Sequence, residues 1–200
     1  MAQRGRPRGG DSAETRVRII DAARHEFSRR GFDGASVATI ASRAGLAPSA
    51  AYHYFGGKVA LYEEVFETTA TAVWDMFDQS IAEHDTLLDA VEAMITFATE
   101  MTAEESAYTA FLALVPMETS LHPEFVHMRE RRTKRQDMTF ARLAEQGLAS
   151  GELDGFDVET ATEMLRSLLM GWFVESYFRP DPLGRNADSV LIVLRQLAKR

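Results

Sequence analysis

Between Ser36 and Lys58 the chain reads SVATIASRAGLAPSAAYHYFGGK, and this stretch leaves little freedom about fold. Val37, Ile40, Ala41 and Ala44 fall at i, i+3, i+4 and i+7, one apolar stripe at helical period. Ser36 stands before the stripe, where its hydroxyl is expected to accept from an orphan backbone N–H. Gly45 follows it, at the place of a left-handed C′ residue. A second helix opens at Pro48, whose missing N–H costs nothing in a first turn, and stops before Gly56-Gly57. Two short helices joined by a turn of about three or four residues form a helix-turn-helix. In that motif the second helix enters the DNA major groove and its first residues meet base edges.

Thr15–Lys58, roughly the first third of the chain with what precedes it, resembles the DNA-binding head of the TetR family of bacterial regulators. The resemblance rests on Arg18-Ile19-Ile20-Asp21-Ala22-Ala23, Phe27, Gly31-Phe32, Ser36-Val37, Ile40-Ala41, Ala44-Gly45-Leu46, Tyr52-His53-Tyr54-Phe55 and Lys58 with Leu61. It implies that Ser36, Tyr54 and Lys58 contact phosphates. Pro48, Ser49, Ala50, Tyr52 and His53 would form the groove-facing start of the recognition helix, seated by Ala51 and Phe55. Two departures narrow this. Ala47 stands where the family has a capping Ser or Thr, a loss of about 1 kcal/mol. Ser49-Ala50-Ala51 replaces a Gly-Thr-Leu run and offers bases few hydrogen bonds. Specificity is therefore expected to lean on Tyr52, on methyl contacts from Ala50 and on DNA shape.

The rest of the head is expected to brace these helices. Asp11-Ser12-Ala13-Glu14 has the form of a capping box, and Val17, Ile20, Ala23 and Phe27 that of a buried face ending at Gly31-Phe32-Asp33-Gly34. Ahead of them lies a basic, glycine-rich arm. Its Arg4-Gly5-Arg6-Pro7 run is similar to an AT-hook, so Arg4 and Arg6 are candidates for a minor groove, against the plainer alternative of a solubilising tail.

Net charge is −8, which suits a DNA binder only once the chain is divided. Residues 1–60 hold ten Lys/Arg and five Asp/Glu, a balance of +5, and residues 61–200 hold twelve and twenty-five, a balance of −13. A basic head on an acidic body presents one face to phosphates.

Beyond residue 58 only helical periods appear, and the expected fold is all-α with about nine helices. The expected divisions are a flexible arm over 1–11, a helix-turn-helix domain over 12–57 and a ligand-binding and dimerisation domain over 58–200. Pro116 is expected to kink or end its helix. Gly147, Gly151 and Gly155 are expected to punctuate the end of a helix from His122-Pro123 to about Ala149. Helices over 157–178, closed by Pro180 and Pro182, and over about 187–198 should finish the chain. The resemblance implies that these last two pair with their copies in a four-helix bundle, making a homodimer. The interface candidates are Met164, Leu168, Trp172, Val190, Leu191, Leu194 and Leu197, and mid-helix Gly171 would admit a close neighbour. It implies too an effector pocket in the middle helices. Its candidate lining is Trp74, Phe77, Phe97, Met101, Tyr108, Phe111, Met117, Phe140 and Trp172, suiting a mostly apolar or aromatic small molecule. In the run from Arg129 to Arg135, one basic side chain, Arg132 or Arg135, is placed to point inward at an anionic effector; the plainer alternative is a solvated face.

No cysteine nucleophile, HExxH or glycine-rich phosphate loop is present, so no enzyme, cofactor or metal site is expected. No leader or membrane span is expected either. The longest apolar runs, 111–117 and 168–174, fall far short of the roughly 18 residues a span needs. The expectation is a cytoplasmic, ligand-responsive regulator, most simply a repressor released from a palindromic operator by its effector. Activation or corepressor logic on the same fold, and more remotely a helical carrier or enzyme, remain alternatives.

Overall fold

The computed structural model describes residues 9–178 and 184–198, and every described element is helical. The elements are α1 (Gly9–Gly34), α2 (Val37–Arg43), α3 (Pro48–Phe55), α4 (Lys58–Glu83), α5 (Leu87–Glu104), α6 (Ser106–Leu121), a 3-10 turn (Pro123–Phe125), α7 (Val126–Ala149), α8 (Val158–Phe178) and α9 (Gly184–Leu197). Arg4 and Arg6 of the arm, and Pro180 and Pro182, lie outside the described residues.

The chain divides into two compact units, up to Thr68 and from Thr69 onward, so the division falls inside α4 rather than at its start. The first turns of α4 belong to the head because they finish its core: Tyr62 meets Phe27 and Phe32 edge-on, at 4.9 and 5.4 Å between ring centroids. Around them Ile19, Ile20, Ala23, Ile40, Ala41, Leu61 and Val65 are buried. Two expectations for α1 need correcting. The helix is already formed at Gly9, so residues 11–14 lie within it instead of capping it. Val17 is 56% exposed and Ile19 is buried in its place. At about 100° per residue, Val17 lies well off the direction shared by Ile19, Ala23 and Phe27, while Arg16 lies on it. The expected break at Gly31 is present, with φ 67° and ψ −178° inside α1.

In the second unit the core joins Val73, Phe77, Leu87, Val91, Met94, Phe140, Leu143, Leu165, Leu169, Trp172, Val190 and Leu194, from α4, α5, α7, α8 and α9. Thr86 caps α5 by accepting from Asp89 N, and the Glu152 carboxylate accepts from the next orphan donors, Leu87 N at 2.6 Å and Leu88 N at 3.1 Å. α4 is held to α7 by polar ties at Asp78, which meets Arg135 at 2.6 Å, Arg142 at 3.1 Å and the Thr139 hydroxyl at 3.2 Å.

Here too the structure departs from the sequence reading. Of the two expectations for Pro116, the end is not met: the proline lies inside α6, which continues to Leu121. Gly147 is no terminator: it is buried within α7, where a Cβ would stand 2.7 Å from Leu153 Cδ1 and 3.0 Å from Leu87 Cδ2. It is a contact glycine, and Gly151 and Gly155, at φ 78° and 89°, make the turn that follows. On α9 the protomer's own core takes Val190, Leu191 and Leu194, leaving Ile192 and Val193 outward and Leu197 half-buried. Trp172 likewise lies on the buried α8 stripe with Ala161, Leu165, Leu169 and Ser176. These apolar stripes are covered inside the protomer, which periodicity alone cannot distinguish from cover by a partner.

Candidate nucleic-acid interface

The turn between α2 and α3 is set by backbone bonding. Gly45, in the left-handed region at φ 73°, donates to Ser42 O at 3.0 Å, and Leu46 donates to Ala41 O at 2.9 Å. Together they close the paired bonds of a Schellman C-cap and fix where α3 begins. At that start Ala47 makes no side-chain cap and Pro48 fills the first helical position. Ser36 occupies the N-cap of α2 with extended backbone, but its hydroxyl makes no cap hydrogen bond. That corrects the expected capping and leaves an exposed hydroxyl at the helix start.

α3 divides as a seated helix must. Ala51 and Phe55 are buried, while Pro48, Ser49, Tyr52 and His53 are exposed and Ala50 and Tyr54 are half-buried. Tyr52 is 53% exposed, the largest apolar surface on the helix. His53 packs edge-on to Tyr54 at 5.9 Å. Lys58 is already engaged: its ammonium donates to Asp33 O at 3.1 Å and lies 4.5 Å from the Phe32 ring centre. One of its three donors is thereby used, and the rest of the charge remains for a phosphate.

The sequence reading missed Arg16. Its guanidinium lies 4.6 Å from the Phe55 ring centre, donates to Tyr54 O at 3.4 Å and pairs with Glu64 at 2.8 Å. A single side chain thus ties α1 to the last turn of α3 and the first turns of α4. The signal was present in the sequence: Arg16 stands four residues before Ile20 and seven before Ala23, a charge on the apolar stripe.

The charge division also changes. Counted to Thr68, the first unit holds ten Lys/Arg and eight Asp/Glu, a balance of +2, because α4 adds Glu63, Glu64 and Glu67. The remainder is −10, with twelve against twenty-two. The asymmetry keeps its sign, and Glu64 is spoken for by Arg16.

The candidate pocket residues fall in several settings. Phe77, Phe140 and Trp172 are core, with Trp74, Phe97 and Met101 packed against it. Trp74 meets Phe77 at 5.6 Å and Phe140 at 6.4 Å, both edge-on. Phe111 is fully buried and Tyr108 half-buried. Met117 is 57% exposed and does not line an interior site. Of the two arginines, Arg135 is paired to Asp75 and Asp78. Met164 and Leu168 are half-buried, on the α8 face that also carries exposed Gly171 and Phe178.

Residues 19–65 match the family model for bacterial regulatory proteins of the tetR family. The transcriptional regulator UidR of Escherichia coli K12 is 24% identical over 181 residues, 89% of this chain and 88% of that one. The transcriptional repressor AcnR of Corynebacterium jeikeium is 42% identical over 55 residues, 28% of this chain and 29% of that one. Among solved structures, NalD, the secondary repressor of the MexAB-OprM multidrug efflux pump in Pseudomonas aeruginosa, matches with a TM-score of 0.71 at 23% identity, over 93% of this chain and 97% of that one. Residues 19–65 are thus a DNA-binding segment of the tetR family, and the described all-helical chain shares its fold with solved transcriptional regulators.

Proposed function

We propose that the protein is a cytoplasmic, dimeric repressor that binds a palindromic operator and leaves it when a small molecule occupies the body. The carrying observation is α3, which exposes Ser49, Tyr52 and His53 on one side while Ala51 and Phe55 anchor the other under Arg16. Ser36, Tyr54 and Lys58 flank this helix as phosphate contacts, and α3 itself reads the major groove. Repression is favoured by the names of AcnR and NalD. Dimerisation would use the outward face of α8, with Met164, Leu168, Gly171 and Phe178, and the outward Ile192 and Val193 of α9. An added Cβ at Gly171 meets nothing within 4 Å among the described residues, so that close approach is left to a second copy. A two-fold dimer sets its half-sites about one DNA turn or a little more apart.

The test is selection of bound duplexes from a random pool with the full chain, followed by fluorescence anisotropy on the enriched sequence. The expected result is an inverted repeat whose affinity falls steeply with salt as phosphates regain counterions. Loss of binding on combining Tyr54→Ala with Lys58→Ala supports the assigned grip. An unaffected double variant, or no enriched sequence, would refute it.

A further inference from the structure

We propose that the body binds an amphipathic monocarboxylate, with its carboxylate held by Arg132 of α7 and the indole N–H of Trp172 of α8. The proposal rests on the reading of the body as an effector site and names the chemistry of the ligand.

Arg132 lies on the inward face of α7. It stands four residues from Met128 and four from Gln136, which are 0% and 7% exposed, and continues to Thr139, Phe140 and Leu143, all buried. It is the half-buried member of that stripe, and it has no ion pair or hydrogen bond among the described residues. Burial holds its pKa below the ordinary arginine value. An arginine nevertheless stays charged, so this half-buried guanidinium, with no acceptor among the described residues, keeps its donors free for an anion.

Trp172 supplies a second, more enclosed donor. It is 7% exposed, and its Nε1 is buried with no acceptor among the described residues. The two helices bring these donors to one level. Gln136 Nε2 contacts Met170 Sδ at 3.3 Å and Asp137 pairs with Arg166 at 2.6 Å, so α7 and α8 run antiparallel in this register. Four residues back along α7 from Gln136 is Arg132, and two forward along α8 from Met170 is Trp172. At a rise of about 1.5 Å per residue they differ by only a few ångströms along the axis.

Two donors without acceptors call for an acceptor. A carboxylate accepts both arms of an arginine fork and keeps a lone pair for an indole N–H. A monoanion also balances the charge: the neighbouring Arg135 is already neutralised by Asp75 and Asp78, and Gln136 is neutral. A dianion would remain half uncompensated. The adjoining core, with Trp74, Phe77 and Phe140, supplies the apolar surface for the rest of the molecule. Met170, a flexible thioether, is the side chain best suited to yield.

The experiment is thermal shift and calorimetry on the full chain with decanoate and 1-naphthoate, against 1-decanol, 1-naphthalenemethanol and decyltrimethylammonium. We expect the carboxylates to raise Tm and the matched neutral and cationic probes to do so less. Arg132→Gln should weaken carboxylate affinity by about 10- to 100-fold and Trp172→Phe by about fivefold, the ranges for charged and neutral hydrogen bonds. In a Trp74→Phe background Trp172 is the sole tryptophan, and its emission should shift on binding. Carboxylate binding that survives Arg132→Gln overturns the assignment. If the alcohols bind as tightly as the acids, the carboxylate site falls and the effector reading stands. If no probe binds, both fall.

Discussion

The two units treat their arginines in opposite ways. In the head, Arg16 is half-buried and engaged, with an aromatic ring, a carbonyl and a carboxylate within reach. In the body, Arg132 is drawn inward and has no partner among the described residues. The first arrangement fixes the geometry of α3 before any DNA is met, so little ordering entropy is lost on binding. The second leaves an interaction unmade, which is what a conformation waiting for a ligand requires. Rigidity belongs where a groove must be read, and unsatisfied polarity where occupancy must be sensed.

The contrast can be broken at either end. The largest expected effect is at Gly147, where valine would collide with Leu153 and Leu87; a loss of about 3 kcal/mol should appear as a lower Tm in calorimetry. If Gly147→Val leaves Tm unchanged, the close packing at this site is absent in solution. Arg16→Ala comes next. Its ion pair is a third or more exposed on both sides, so the stability loss should be only about 1 kcal/mol in thermal melts. Operator affinity should nevertheless fall about tenfold as the end of α3 loosens, and unchanged affinity would show that Arg16 does not position the helix. Ser36→Ala sharpens the point: with no cap bond to lose, stability should hold within about 0.5 kcal/mol while DNA affinity drops a few-fold. A Tm falling along with the affinity would restore the capping role. The smallest effect concerns acid. The Thr160 backbone N–H, then its hydroxyl, hold the Asp157 pKa below the usual carboxylate range at the start of α8. A depressed folded-state pKa stabilises above the unfolded value and is lost as pH falls through the folded one. Asp157→Asn should therefore flatten stability against pH below about pH 4, and an identical acid limb in both proteins would dismiss the bond.

The helix-turn-helix was legible because its helices are short and its geometry is held by local signals: a stripe of four residues, Gly45, Pro48 and Gly56. Where the head misled, the reason was also local. Ser36 has the right position and backbone for a cap, but its side chain makes no cap bond, which position alone does not reveal. The body shows a different limit. Its periods located the helices, yet Val190, Leu191, Leu194 and Trp172 read equally as partner surface or inner core, because an apolar stripe does not name what covers it. Gly147 read as punctuation because contact and turn glycines share one letter. Met117 read as lining because hydrophobicity was taken for burial. Arg16 and Arg132 are the instructive pair: each is a charge on an apolar stripe, the pattern most easily dismissed as imperfection.

The start of α3 has a consequence for how this surface can change. Positions 49 and 50 carry a serine and an alanine, neither caps the helix, and the turn before them is fixed by backbone bonds through Gly45 and Leu46. Folding therefore asks almost nothing of these side chains. Asparagine, glutamine or arginine could be introduced there one letter at a time, each adding a base-edge contact of its own, while Ala51, Phe55 and Arg16 keep the helix seated. A protein built this way can drift to new operators without first becoming unstable, and a laboratory selection starting at Ser49 and Ala50 would begin from a nearly blank reading surface.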